Sequence, residues 1–307
     1  MGVMRDALLW ASGNQCLRTH VPRWPFVRRA VRQFMPGERI EDALGAASTL
    51  ADKGIATTFT KLGENLSDAG EIDGVVDAYV DAYAAIRASG LDTEVSVKLT
   101  QLGLDLDQEA TALAVIRLAA AAQEHGTWLW IDMEASDYVD RTLDIYRRVK
   151  ADFDHVGVCL QAYLHRTPAD IEALAPLRPG IRLVKGAYKE PASAAVVGRS
   201  DIDEAFFRIG MDLISRPADG LRLAVASHDV DLLDRLEAAA AGGRPGSFEV
   251  HMLYGIRMAD QYRYAERGYH VRTLISYGHE WYPWYVRRLA ERPANLGFVA
   301  RNLFARS

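Results

Sequence analysis

An alternation constrains this chain more than any other feature. Eight short runs dense in apolar and β-branched residues recur along it, separated by longer stretches of helical periodicity. The runs occupy residues 55–59, 95–99, 127–132, 156–161, 181–186, 221–227, 248–252 and 271–275. Most are almost continuously apolar, the pattern of strands covered on both faces. Between them, residues 75–86 and 111–122 place apolar side chains at three- and four-residue intervals, and Gly90, Gly126, the Pro179-Gly180 pair and Gly246 mark the joints. Eight strands alternating with helices predict an α/β chain folded as a closed parallel (βα)8, TIM-like barrel. An open dinucleotide-binding sheet would need a GxGxxG turn after an early strand, and none is present. Two short helical stretches, 4–13 and 21–34, precede the first run. We read residues 1–45 as an N-terminal helical appendage and 46–307 as the catalytic barrel with C-terminal helices.

The chain has 307 residues, ordinary for one such barrel, and it can bury about three-quarters of its unfolded surface without a disulfide or metal staple. Basic residues number 36 against 41 acidic, a net charge of −5, so no electrostatic case for nucleic acid arises. Two cysteines, Cys16 and Cys159, cannot build a disulfide framework, which points to a reducing compartment. The N-terminus carries no signal-peptide pattern, and Asp6 stands where a myristoylation signal needs Ser or Thr. No stretch approaches the ~18 uninterrupted apolar residues of a membrane span. A cytoplasmic location is expected, with at most peripheral contact at the inner face of the membrane.

Chemistry in such a barrel sits at the C-terminal ends of the strands. Polar residues crowd those positions: Lys61 and Glu64, Lys98, Asp132 and Glu134, Gln161, Arg182 and Lys185, His228 and Asp229, and His251. A single strand-end charge is commonly a structural ion pair. Seven strands contributing polar groups to one rim are hard to explain as structure, because each charge is costly to bury without a partner or ligand.

After the eighth run comes YGHEWYPWYVRRLAERPAN, from Tyr277 to Asn295. With Val97-Lys98-Leu99-Thr100, Ile131-Asp132-Met133-Glu134, the RLVKGAY segment beginning at Arg182, and Met252-Leu253-Tyr254-Gly255-Ile256, it resembles the FAD-dependent proline dehydrogenases of the short monofunctional bacterial type. Five motifs match in order, from about Leu62 to Asn302. The resemblance implies a distorted (βα)8 barrel that oxidises L-proline to Δ1-pyrroline-5-carboxylate by hydride transfer to flavin N5. It also implies a quinone acceptor and, downstream, a separate pyrroline-5-carboxylate dehydrogenase.

The same resemblance assigns residues. Arg287 and Arg288 would bind the proline carboxylate as a guanidinium fork, helped by Lys98, with Asp132 keeping Lys98 charged and oriented. Arg182 would donate towards flavin N5 and stabilise the reduced ring. Gln161 would bond the ring's polar edge, and Met133, Val184, Lys185, Gly186 and Ala187 would line it. Ser227 and His228 match the residues that contact the ribityl and phosphate region. Tyr188 would line the substrate, and Glu64 would ion-pair with Arg287 as a gate. No metal is implied.

The sequence departs from the family around the substrate ring. Leu274 and Trp284 stand where tyrosines are usual, His251 where Gln is common, and Ser227 where Thr is common. If the match is read as slipped by one or two residues in this strand, Tyr277 could serve in place of Leu274. A changed wall suggests 4-hydroxyproline or another cyclic secondary amino acid as substrate, alongside or in place of proline. Three other readings compete: a barrel lyase or aldolase forming an imine at Lys98 or Lys185, a metal hydrolase built from Asp132, Glu134, His228 and His251, and a retired ligand-binding barrel. The lyase leaves the arginine pair unexplained, the hydrolase lacks HxH or HExxH spacing, and the retired barrel has no reason to keep Lys98, Arg182, Arg287 and Arg288.

Overall fold

The computed structural model describes residues 31–63, 66, 68–216, 220–240, 246–282 and 284–286, with scattered positions from 14 to 29. Eight strands, all parallel, close into a barrel in chain order. They are β1 (Ala56–Lys61), β2 (Thr93–Lys98), β3 (Leu129–Asp132), β4 (Val156–Gln161), β5 (Gly180–Val184), β6 (Arg222–Ala226), β7 (Glu249–Leu253) and β8 (Val271–Tyr277). Each falls on one of the eight runs predicted from sequence. Helices α1 (Ile40–Ala51), α2 (Ile72–Ser89), α3 (Gln108–Glu124), α4 (Val139–Lys150), α5 (Thr167–Leu174), α6 (Arg199–Ser215), α7 (Val230–Ala239) and α8 (Met258–Glu266) surround them. Among the described residues, no helix is long and apolar enough to cross a membrane.

The helices form where local signals agree. Helix α2 buries Ile72, Val76, Tyr79, Tyr83 and Ile86, spaced alternately by four and three residues, and stops at Gly90, whose φ of 68° suits glycine. Helix α3 opens at Asp107, whose carboxylate accepts from the N–H groups of Glu109 and Ala110 at 2.8 and 3.0 Å. Helix α1 runs across position 45 and sends Ala43, Ala47 and Leu50 into the main core.

Strand alternation sorts side chains to two faces. Val95, Val97, Leu129 and Ile131 point outward into the helix layer and are fully buried; each such apolar side chain contributes about 1.5–3 kcal/mol. Their neighbours Glu94, Ser96, Trp130 and Asp132 point inward and meet groups from strands across the barrel. Barrels of this type are usually filled by Val, Ile and Leu. Here the interior also carries Glu94, Arg182, His251 and Arg272, each no more than 5% exposed. Two glycines make room for two tryptophans: a Cβ on Gly157 would lie 2.4 Å from the Trp130 ring, and one on Gly180 2.7 Å from Trp128. A second apolar cluster gathers Val31, Phe34 and Met35 with Trp281, Tyr282, Trp284, Tyr285 and Val286.

Candidate active site

The C-terminal end of the barrel gathers the residues from β2, β3 and β5 around one guanidinium. Arg182 on β5 is ion-paired to Asp132 at the end of β3 and donates to the Ser96 hydroxyl at 2.6 Å. Ser96 in turn donates to Asp132 at 3.0 Å, closing a triangle. The guanidinium lies 5.0 Å from the centroid of the Trp130 ring. Its other terminal nitrogen, Nη1, is buried and makes no hydrogen bond. On the neighbouring strand, Gln161 Oε1 is likewise buried without a partner, although the Gln161 carbonyl accepts from Thr167. Cys159 stands opposite Arg182 in register, and burial pushes its thiol up to about 11, so it stays neutral.

Lys98 ends β2 in register with Asp132 and is half-buried. Asp132 is also ion-paired to Arg182. Leu274 is half-buried on β8, and Ser276 shares its face. Tyr277 takes the opposite face and packs edge-on against Phe59, 6.2 Å between centroids, inside the main core. Leu274 and Tyr277 thus stand on opposite faces of β8. Trp284 lies buried in the second apolar cluster. Glu64, Arg287 and Arg288 lie outside the described residues.

The residues expected to line a cofactor fall on the same end of the barrel. Met133 is buried, Val184 half-buried, and Ala187 exposed. The Lys185 ammonium is held by two carboxylates, Asp203 on α6 and Asp229 at the start of α7. That commitment opposes the imine-forming reading of Lys185. Gly186 has φ of 115°, and a Cβ there would fall 2.2 Å from the Tyr163 ring; the tight approach that demands glycine is to Tyr163. The Ser227 hydroxyl accepts from the Asp229 N–H at 3.1 Å. His228 Nε2 accepts from the Leu253 N–H at 2.9 Å, which leaves its proton on Nδ1.

Two carboxylates strap the rim loops together, a feature the sequence did not reveal. Glu134 accepts from both the N–H and the hydroxyl of Thr100, at 3.0 and 2.7 Å. Glu190 repeats the arrangement on Ser136, accepting from its N–H at 2.8 Å and from its hydroxyl. The second strap anchors the segment that carries Tyr188, which is 37% exposed. The Tyr163 hydroxyl donates to the Tyr188 carbonyl at 3.4 Å. Asp132, Glu134, His228 and His251 thus each answer to a different partner, and among the described residues no three His, Cys, Asp or Glu side chains converge as a metal site would require.

The opposite end of the barrel is also charged. Glu94 meets Arg222 at 2.6 Å and Arg272 at 3.2 Å, and accepts from the Trp130 indole at 2.6 Å. Arg222 also meets Glu249 at 2.6 Å, Arg272 meets Asp92 at 3.0 Å, and His270 bridges Asp92 and Glu249. Hydrogen bonds to Asp92 and Glu249 raise His270 to about 9. Burial drives His251 down to about 4 despite Glu249 at 3.2 Å, so its imidazole is neutral at pH 7. Burial alone would raise Glu249, but hydrogen bonds from Arg222 and the two histidines hold its carboxyl far below the usual range.

Comparison with known proteins agrees with this geometry. The sequence model of a family described as proline dehydrogenase matches residues 43–301. Proline dehydrogenase 1 of Bacillus subtilis subsp. natto is 36% identical over 304 residues, covering 98% of this chain and 99% of the relative. The proline dehydrogenase of Deinococcus radiodurans is 36% identical over 278 residues, covering 88% and 89% respectively. Among solved structures, proline utilization A from Bdellovibrio bacteriovorus inactivated by N-propargylglycine superimposes with a TM-score of 0.80 at 21% identity, covering 91% of this chain and 34% of that one. That last likeness speaks for the barrel, and the bacterial relatives speak for the chemistry. A closed parallel barrel, a buried Arg182–Ser96–Asp132 triangle at its C-terminal end and a full-length match to single-chain relatives lead to one conclusion: this chain is an oxidoreductase belonging to the proline dehydrogenase family.

Proposed function

We propose that the chain oxidises L-proline to Δ1-pyrroline-5-carboxylate with FAD as its cofactor and a quinone as the final electron acceptor. The observation that carries this reading is the pair of buried, unsatisfied polar atoms, Arg182 Nη1 and Gln161 Oε1, on adjacent strands at the catalytic end. Such atoms are costly to leave unmet, and a planar ring with alternating donors and acceptors along its edge would meet both. Flavin, when bound, supplies the hydride acceptor that no amino-acid side chain can provide. Arg182, Gln161, Met133, Val184, Lys185, Gly186 and Ala187 would hold its ring, with Ser227 and the Nδ1–H of His228 nearer the ribityl chain.

The chain's own residues bind and orient. Lys98, Arg287 and Arg288 would hold the proline carboxylate, turning a flexible encounter into a fixed approach of the reacting carbon. Asp132 keeps the Arg182 guanidinium aimed, with Ser96 bonding the same carboxylate oxygen, Oδ1. A positive group held there favours electron density arriving on the adjacent ring. Tyr188 and Leu274 would form walls around the substrate ring, and Glu64 would pair with Arg287 until proline enters. The product's oxidation to glutamate falls to a pyrroline-5-carboxylate dehydrogenase, which we assign to a separate chain.

A second reading concerns substrate choice. Leu274 is half-buried on the inward face of β8 and brings no hydroxyl, so a ring bearing its own 4-hydroxyl finds space there. The test is an anaerobic visible spectrum of the flavin-loaded protein before and after L-proline, then trans-4-hydroxy-L-proline. Bleaching by proline supports the main reading, and bleaching by the hydroxylated ring alone supports the second. A protein that cannot be loaded with FAD overturns both.

A further inference from the structure

Trp130 lies outside the family motifs quoted above except as the residue before Ile131, yet its ring occupies the junction between the catalytic end of the barrel and the ion cluster at the other end. It is fully buried and precedes Asp132 by two residues on β3, so it points into the barrel about 6–7 Å deeper. Arg182 lies 5.0 Å from its ring centroid and Arg222 5.3 Å. Its indole N–H donates to Glu94 Oε2, and Arg222 Nη1 donates to the other oxygen of the same carboxylate, each at 2.6 Å. His251 meets the ring edge-on at 5.8 Å. Gly157 leaves the space the ring fills, since a Cβ there would lie 2.4 Å from it.

We propose that Trp130 is the positioning residue for Arg182: a fixed aromatic platform that holds the guanidinium against Asp132 and thereby sets how strongly the site favours a reduced flavin. This rests on the reading that Arg182 faces the cofactor. Hydrogen bonds alone hold the guanidinium plane weakly, because Ser96 and Asp132 both engage Nη2, Nη1 makes none, and the remaining polar neighbour is the neutral Cys159 thiol, a weak acceptor. A fork held strongly at one nitrogen alone can swing about that point. The ring removes that freedom, since a cation over an aromatic face in a dry site is attracted to the negative face. The platform is itself immobile, tied to Glu94 by its N–H and confined by Gly157 and His251. The ion cluster at the far end of the barrel thus serves the catalytic end through one side chain.

The flavin-loaded enzyme tests this through the midpoint potential of the bound flavin, its rate of reduction at saturating L-proline, and KM. Trp130→Leu removes the platform. Its expected effects are a more negative potential and reduction slowed about tenfold, the scale of one desolvated cation–π contact, with KM within about twofold of the parent. Trp130→Phe keeps a ring face and loses only the N–H, so it rescues both potential and rate to within about threefold. Gly157→Ala alters no polar or aromatic group yet pushes the ring, and it shifts potential and rate in the same direction as Trp130→Leu; it and Trp130→Phe decide the matter if the leucine variant does not fold. Unchanged potential and rate in Gly157→Ala and Trp130→Leu, while Arg182→Lys alters both, overturns the platform and leaves the flavin reading standing. Losses in which KM rises as much as kcat falls, at unchanged potential, also overturn it. If Arg182→Lys leaves the potential unchanged as well, the underlying placement of Arg182 fails and the proposal falls with it.

Discussion

The two ends of the barrel interior both bury charge, and they dispose of it differently. At the N-terminal end, Glu94, Arg222, Glu249, Arg272, His270 and Asp92 form a cluster in which each charged group meets an opposite one, and even Arg272 Nε, which makes no hydrogen bond, lies 3.2 Å from Glu94. At the C-terminal end, Arg182 satisfies one terminal nitrogen and leaves the other without a hydrogen bond, and Gln161 leaves its amide oxygen so. Paired charges describe a structural element, since a closed network holds strands together and offers nothing to a ligand. Unmet buried donors and acceptors describe a binding site, because their cost is recovered only when something else arrives. The inference from the difference is that a charged barrel interior marks function where a buried polar atom faces neither a hydrogen-bond partner nor an opposite charge.

Breaking the closed end tests the comparison most severely. Glu94→Ala leaves Arg222, Arg272 and the Trp130 N–H without their shared carboxylate, and we expect a loss of about 3–5 kcal/mol in urea unfolding. A loss below about 1 kcal/mol would mean that the cluster carries no structural load. The open end answers to activity instead. Asp132→Asn keeps an acceptor for Ser96 but removes the charge opposite Arg182, and we expect kcat/KM for proline to fall about a hundredfold. Its stability should suffer less than that of Glu94→Ala, because Asp132 is 20% exposed and lies at the rim. The reverse ranking in unfolding experiments would erase the distinction between the two ends.

The closed end also sets the pH profile. His270 titrates at about 9 in the folded chain against an ordinary 6.5. Between these values the folded chain keeps a proton that the unfolded chain has released, so stability falls as pH rises through that window. His251 runs the other way: at about 4 against 6.5, it stays neutral in the folded chain where the unfolded chain takes up a proton. Stability therefore also falls as pH drops from 6.5 towards 4. His270→Asn should flatten the alkaline limb of a denaturation-versus-pH series and spare the acid limb. An alkaline limb that persists in that variant would place its origin elsewhere. The smallest effect is expected at Leu274. Leu274→Tyr should lower kcat/KM for trans-4-hydroxy-L-proline about tenfold relative to L-proline, and an unchanged ratio would show that this wall does not sort substrates.

The strands were legible because their signal is local. Residues 156–161 read as a strand from an apolar run closed by Gln161, and β4 spans Val156–Gln161. A boundary moved where a polar residue belongs to the barrel interior: β2 starts at Thr93 and includes Glu94, which the apolar run at 95–99 left out. Lys98, Asp132, Gln161 and Arg182 could be named as a group because strand ends in a parallel barrel share one rim. Ser96 and Trp130 were missed, although each stands two residues before a named site residue and so faces the same way. The Glu134 and Glu190 straps could not be read, since Thr100 and Ser136 resemble any loop hydroxyl until their partners are adjacent.

Hydrophobic periodicity is written along the chain at the length scale of one strand or helix, and it sufficed for the barrel and for the rim on which the polar residues lie. Which charges answer one another is settled by contacts between segments far apart in sequence, such as Arg182 with Ser96 or Arg222 with Glu94. Only closure of the barrel brings strands β2, β5 and β6 face to face, because electrostatic pairing depends on a few ångströms of separation that no local pattern encodes. That closure is what pairs every charge in the cluster at one end and leaves Arg182 Nη1 and Gln161 Oε1 unmet at the other.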